Sequence, residues 1–61
     1  MGTLSEKELS ILNASLTEED LLVKKYQFLA SQTQDQEVCS KFQQIAQKHQ
    51  KHFNELYQLL G

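Results

Sequence analysis

The sequence predicts an all-α chain in which a short N-terminal helical segment leads into a long antiparallel helical hairpin, and two hairpins pair into a four-helix bundle. Three observations carry this reading. From Val38, apolar residues recur at alternating steps of four and three through Phe42, Ile45, Phe53, Leu56 and Leu59 or Leu60, which is how one face of an α-helix repeats. An earlier stretch around Leu22, Tyr26 and Leu29 repeats in the same way, with a short polar link between the two. Sixty-one residues form one domain, and a chain of this size hides only about 60% of its unfolded surface, so its core needs outside support. With Cys39 the single cysteine no intrachain disulfide forms, which leaves oligomerisation or a metal.

The first segment, residues 1–16, carries Leu9, Leu12 and Leu16 at helical spacing. Ser5 with Glu8, or Thr3 with Glu6, is placed to form a capping box for the first free N–H groups. A fresh start is expected at Thr17, an N-cap residue followed by Glu18, Glu19 and Asp20 at the positive end of the helix dipole, with Leu16 and Leu21 at staple positions. Helix one then occupies 17–33. Its inner face is Leu22, Tyr26, Leu29 and Thr33, flanked by Leu21, Val23, Phe28 and Ala30, an arc wider than one neighbouring helix requires.

Asp35 is the N-cap expected for helix two, which occupies 36–60 with Glu37 in its first turn. A link this short between two helices makes an antiparallel αα-hairpin. Because nothing kinks either helix and both rise equally from a bend at Gln34, residues equidistant from Gln34 face each other. Glu19 and His49 lie fifteen residues on either side of it, and Tyr26 and Phe42 eight. His49 thus sits at the centre of helix two's apolar stripe and His52 on its edge, with Glu19 at their level.

Composition narrows the function classes. Six lysines, no arginine and a net charge of −2 remove the side chain best suited to guanine and phosphate, which speaks against nucleic acid. A helix-turn-helix reading fails on the same ground, since only lysines and glutamines would read bases. There is no basic leader and no apolar run long enough for a membrane helix, so the chain reads as intracellular and free of membrane. No glycine-rich phosphate loop, nucleophile elbow or cysteine pair is present, and no enzyme activity is expected. Tyr26 and Tyr57 read as packing residues, Cys39 as a small unreactive side chain, and the lysines as solvated charge.

Glu19-x6-Tyr26-x3-Ala30 followed by Phe42-x2-Ile45-Ala46-x2-His49-x2-His52 resembles one half of a rubrerythrin-type, ferritin-like bundle. In that family the first helix supplies a Glu seven residues before a Tyr, and the second a Glu-x2-His pair that binds iron. The resemblance implies that Glu19 and His52 match two metal ligands and that His49 stands where the family has a carboxylate. Over Leu4 to Leu60 the chain is also similar to the small bacterial proteins of the spore coat F family, through Leu16-Thr17-Glu18-Glu19-Asp20-Leu21-Leu22, Lys24-Lys25-Tyr26 and Gln47-Lys48-His49-x2-His52. That implies a spore-forming bacterium and a coat-associated or uncharacterised role without demonstrated enzyme activity, with other spore coat proteins as candidate partners. The wide apolar arc and the marginal core motivate a homodimer, and no cofactor is expected unless the site holds iron or zinc.

Two readings of the site stay open. In one, His49 and His52 are partly buried or interface groups bonded to Tyr, Glu or water, and Glu19 serves the helix dipole. In the other, Glu19, His49 and His52 from two hairpins hold zinc or iron, a donor set suited to either. The loss of the second carboxylate removes the group that would bridge two irons, so oxygen chemistry is not expected.

Overall fold

In a computed structural model, which describes residues 4–61, two helices pack side by side: α1, Glu6–Gln32, and α2, Gln36–Tyr57, extended by one 3-10 turn, Gln58–Leu60. No strand occurs among the described residues. The capping box forms at Ser5. Its hydroxyl accepts from the Glu8 amide at 3.1 Å, and the Glu8 carboxylate accepts from the Ser5 amide at 2.9 Å. The Ser5 amide, and secondarily its hydroxyl, hold the Glu8 carboxyl below its ordinary value of 4.5. The alternative box needs Thr3, which lies outside the described residues.

The break expected at Thr17 does not occur, and the N-terminal segment and helix one are a single helix of 27 residues. The Thr17 hydroxyl does not cap a new helix; it donates back to the Asn13 carbonyl at 3.0 Å, as a threonine inside a helix does. Leu16 is buried and Leu21 is 60% exposed, so the staple is absent as well. Tertiary packing overrides the local cap signal here. Leu12 and Leu16 lie in one row with Glu19, Val23, Tyr26 and Ala30, at steps of four and three, and that row continues across residue 17 to pack on α2.

The link is Thr33-Gln34-Asp35. Thr33 and Asp35 are extended, no non-glycine residue among those described has a positive φ, and the reversal needs no left-handed residue. The Asp35 carboxylate caps α2 by accepting from the Val38 amide at 3.0 Å, while its own amide donates to the Thr33 hydroxyl at 3.2 Å.

The seam is shifted from the expected inner face. Val23 and Ala30 are buried, Leu22 and Leu29 only half-buried, and Phe28 is 62% exposed on the far side of α1. On α2 the buried residue is Ala46, with Ile45 half-buried beside it. Small side chains at the centre let the two helices approach closely, which pushes the larger leucines and Ile45 to the seam's edge. The result is a thin core. Leu12, Leu16, Val23, Ala30 and Ala46 form it, and no side chain among the described residues is fully enclosed. The hairpin measures 46 × 16 × 10 Å with a radius of gyration of 14.4 Å, against about 10.5 Å for a compact domain of this length.

Replacing Ser5 by Ala removes the α1 cap and is expected to lower stability by about 1 kcal/mol. Hydrogen exchange should localise the loss to the first turn; exchange unchanged there would show that the cap contributes nothing. Because the folded-state pKa of Glu8 is lowered, its stabilising effect is complete above 4.5 and is lost as pH falls through the lowered value. First-turn protection should therefore decline in acid in the parent chain and be insensitive to acid in Glu8→Gln, which removes the titrating carboxyl; Ser5→Ala keeps the backbone amide that is the larger cause of the shift.

Candidate functional site

The polar centre of the seam is Glu19 on α1 with His49 and His52 on α2. Their positions follow from the bend: Glu19 and His49 stand at the same height, and His52 is one turn beyond. Nδ1 of His49 lies 2.6 Å from Oε1 of Glu19, a bond between residues thirty positions apart. Since an ionised carboxylate only accepts, His49 donates and its Nδ1 carries the proton. Nδ1 of His52 lies 3.6 Å from the other oxygen, Oε2, beyond hydrogen-bond length but within ion-pair range. The two carboxylate oxygens thus face different imidazoles, and only the His49 contact is a hydrogen bond. Its side chain is 19% exposed, that of His49 22% and that of His52 40%, so the group is sheltered on the seam side and open beside His52.

The surroundings orient the histidines. Tyr26 stacks on His49 with centroids 6.2 Å apart and planes 12° from parallel, and meets Phe42 in a tilted pair with centroids 5.8 Å apart. His52 stands edge-on to His49 at 5.5 Å. The Tyr26–Phe42 pairing follows from counting heights. The Tyr26–His49 stack does not, because counting treats each residue as a point. Side chains on a helix lean towards its N-terminus, so in an antiparallel pair Tyr26 leans away from the bend and His49 towards it, and they close a gap of two turns. The direction of lean was the signal that would have found it.

The sequence-derived residues Glu19, His49 and His52 are therefore brought together, and their ligand atoms lie within 4.8 Å of one another. Two imidazoles and one carboxylate fit a single divalent transition metal, and His52 has the exposure to adjust its rotamer. The set lacks a second carboxylate to bridge a metal pair. Other candidates stay apart from this centre. Cys39 is a free thiol in the first turn of α2, half-buried, and Tyr57 stacks on Phe53 at 5.9 Å near the other end. Lys25 Nζ lies 5.5 Å from the centroid of the Tyr26 ring, and Lys24 pairs with Asp20 at 2.8 Å on the exposed surface. Such exposed pairs contribute little.

Comparisons of the chain with protein-family models, with curated proteins and with solved structures return no match. The geometry of the hairpin and its polar centre thus carries the functional argument.

Glu19→Ala leaves the His49 Nδ1–H without its acceptor in a half-buried setting, and a loss of about 2 kcal/mol is expected. In a His49→Leu background the same change should cost far less. A double-mutant cycle by urea unfolding measures the difference; additive costs would mean that the contact does not stabilise the hairpin.

Proposed function

We propose that this chain is a non-enzymatic interaction protein that acts as a homodimer, its two hairpins forming a four-helix bundle. The observation that carries the reading is the incomplete core. No described side chain is fully enclosed, while Ile11, Val38 and Leu59 are exposed along one side of the hairpin and Leu60 at its end. A lone two-helix hairpin of this size has too little buried apolar surface for independent stability, and association is the ordinary remedy. None of the described helices is long and apolar enough to cross a membrane, so a bilayer does not supply the missing cover as a spanning partner would. The resemblance to the spore coat F proteins adds a setting, the spore coat, in which a small bundle would serve as a building unit among other coat proteins.

Thermal unfolding followed across a range of concentrations tests the dimer. The midpoint should rise with protein concentration, because folding is coupled to association. A midpoint independent of concentration, with a monomer mass in sedimentation at micromolar concentration, would refute it.

A second reading, a protein that binds one zinc or iron ion, is favoured by one observation: three ligand atoms of the right types converge within 4.8 Å. Glu19, His49 and His52 would hold the ion, and its charge would relieve the need for protons on the imidazoles. Metal analysis of protein purified without a histidine tag tests this reading, with His49→Ala/His52→Ala as control. Stoichiometric metal in the parent chain that is lost in the double variant supports it; a metal-free parent that takes up neither ion excludes it and leaves the dimer reading standing.

A further inference from the structure

Each helix carries a second apolar row beside the seam. On α1 it is Ile11, Leu22 and Leu29, at steps of eleven and seven residues, each within about 20° of whole turns, with Leu4 just ahead of the helix beside Ile11. On α2 it is Val38, Ile45 and His52, at steps of seven, and Leu59 in the 3-10 turn that follows lies on the same side. In an antiparallel pair both rows turn to the same side of the slab. Leu4 and Ile11 there share one open depression with Leu56 and Leu59. The opposite side is lined by Gln27, Gln43, Gln47 and Gln50 over Val23 and Ala46. The hairpin thus has a glutamine face and an aliphatic face, and His52 belongs to the aliphatic one.

We propose that the aliphatic face is covered by a second copy of the chain, packed face to face about a two-fold axis. This rests on the reading of the hairpin as half of a bundle and assigns the surface that reading uses. The area matches. The chain exposes 4908 Å², whereas a compact monomer of 7.1 kDa exposes about 4,100 Å². The excess, about 800 Å², is one partner's share of a standard interface. The face itself, 46 Å by 16 Å, offers roughly 700 Å², so an occupant must run its whole length to reach that share. A second hairpin has that length and width.

Symmetry agrees. Thirteen residues separate Glu19 from Glu6 and thirteen separate it from Gln32, so the polar centre stands at the midpoint of α1. A two-fold axis in the plane of the face, along the hairpin or across its middle, brings the two polar centres to one height. His52 of each copy is then covered among polar groups and not set against the other copy's leucines. A membrane surface suits the face less well. Its rim mixes Glu18, Glu37 and Glu55 with Lys7, Lys25, Lys41 and Lys48, close to neutral, and the chain's net charge is −2, so no strongly basic border draws it to anionic lipid.

Thiol labelling tests the assignment in a Cys39→Ser chain carrying either Ile11→Cys or Leu21→Cys, positions 58% and 60% exposed in the hairpin and on different sides of α1. Sedimentation on the same samples gives the mass. At a total chain concentration ten times the dimer dissociation constant about a fifth of the chain is still monomeric, so labelling of Ile11→Cys should slow by up to about fivefold while that of Leu21→Cys is unchanged. A dimer in which Ile11→Cys labels freely overturns the face and leaves dimerisation intact. A chain that stays monomeric overturns both, and so does a monomer whose Ile11→Cys is protected only by added anionic vesicles.

Discussion

The hydrogen bond between Glu19 and His49 sits at the middle of the contact that holds the hairpin together, and the seam on either side is built to accommodate it. A carboxylate placed between two helices loses water on its seam side, and only a donor at bonding distance makes that tolerable. His49 supplies the donor at 2.6 Å, and Tyr26 covers the imidazole from the other side. The aromatic set then needs room, and Ala30 and Ala46 at neighbouring seam positions keep the helix axes close while Tyr26 and Phe42 fill the space between. Removing the polar pair would leave apolar packing that is thin along the whole length.

That thinness has a geometric origin. Two helices share one line of contact, and each needs an apolar arc only as wide as its neighbour covers. Here the arcs are wider, so residues such as Leu22, Leu29 and Ile45 spill to the rim of the seam and remain half-buried. All of them spill to the same side. The glutamines gather on the other, where they are uncharged, solvated and favourable to the helix. A hairpin with one aliphatic and one amide face leaves the half-buried residues of its aliphatic side without the cover that the seam gives Val23, Ala30 and Ala46.

Much of this was legible before any coordinates, for identifiable reasons. Heights along two unkinked helices are a matter of counting, so Glu19 opposite His49 and Tyr26 opposite Phe42 followed from the position of the bend. The Asp35 and Ser5 caps were legible because capping chemistry is local. The break at Thr17 was misread for the same reason. Its pattern of threonine followed by acids is a true cap signal, yet a cap forms only where the helix has ended, and Leu12 and Leu16 keep it going by packing across that point. The shift of the seam from Leu22 and Leu29 to Val23 and Ala30 was hidden because hydrophobic strength points to leucine, whereas close approach selects the smaller side chain. Whether the polar centre holds a metal was not legible at all, since two histidines and a glutamate serve equally well as a bonded cluster.

The polar pair also fixes which residues meet. The link has no glycine or proline to pin the bend, and α1 could run past Gln32 by giving up the Asp35 cap, worth about 1 kcal/mol. Moving the bend by half a heptad, to about residue 37 or 38 or to about 30 or 31, re-pairs every seam residue with one a heptad away. Apolar positions survive such a slip because the stripe repeats. Glu19 does not: it would face Leu56 in one case and Phe42 in the other, and its bond to the His49 Nδ1–H would be lost, a cost of about 1–3 kcal/mol. Added to the lost cap, that separates the observed register from its nearest competitors. The histidine that looked out of place in an apolar stripe is thus the residue that tells this hairpin where to fold.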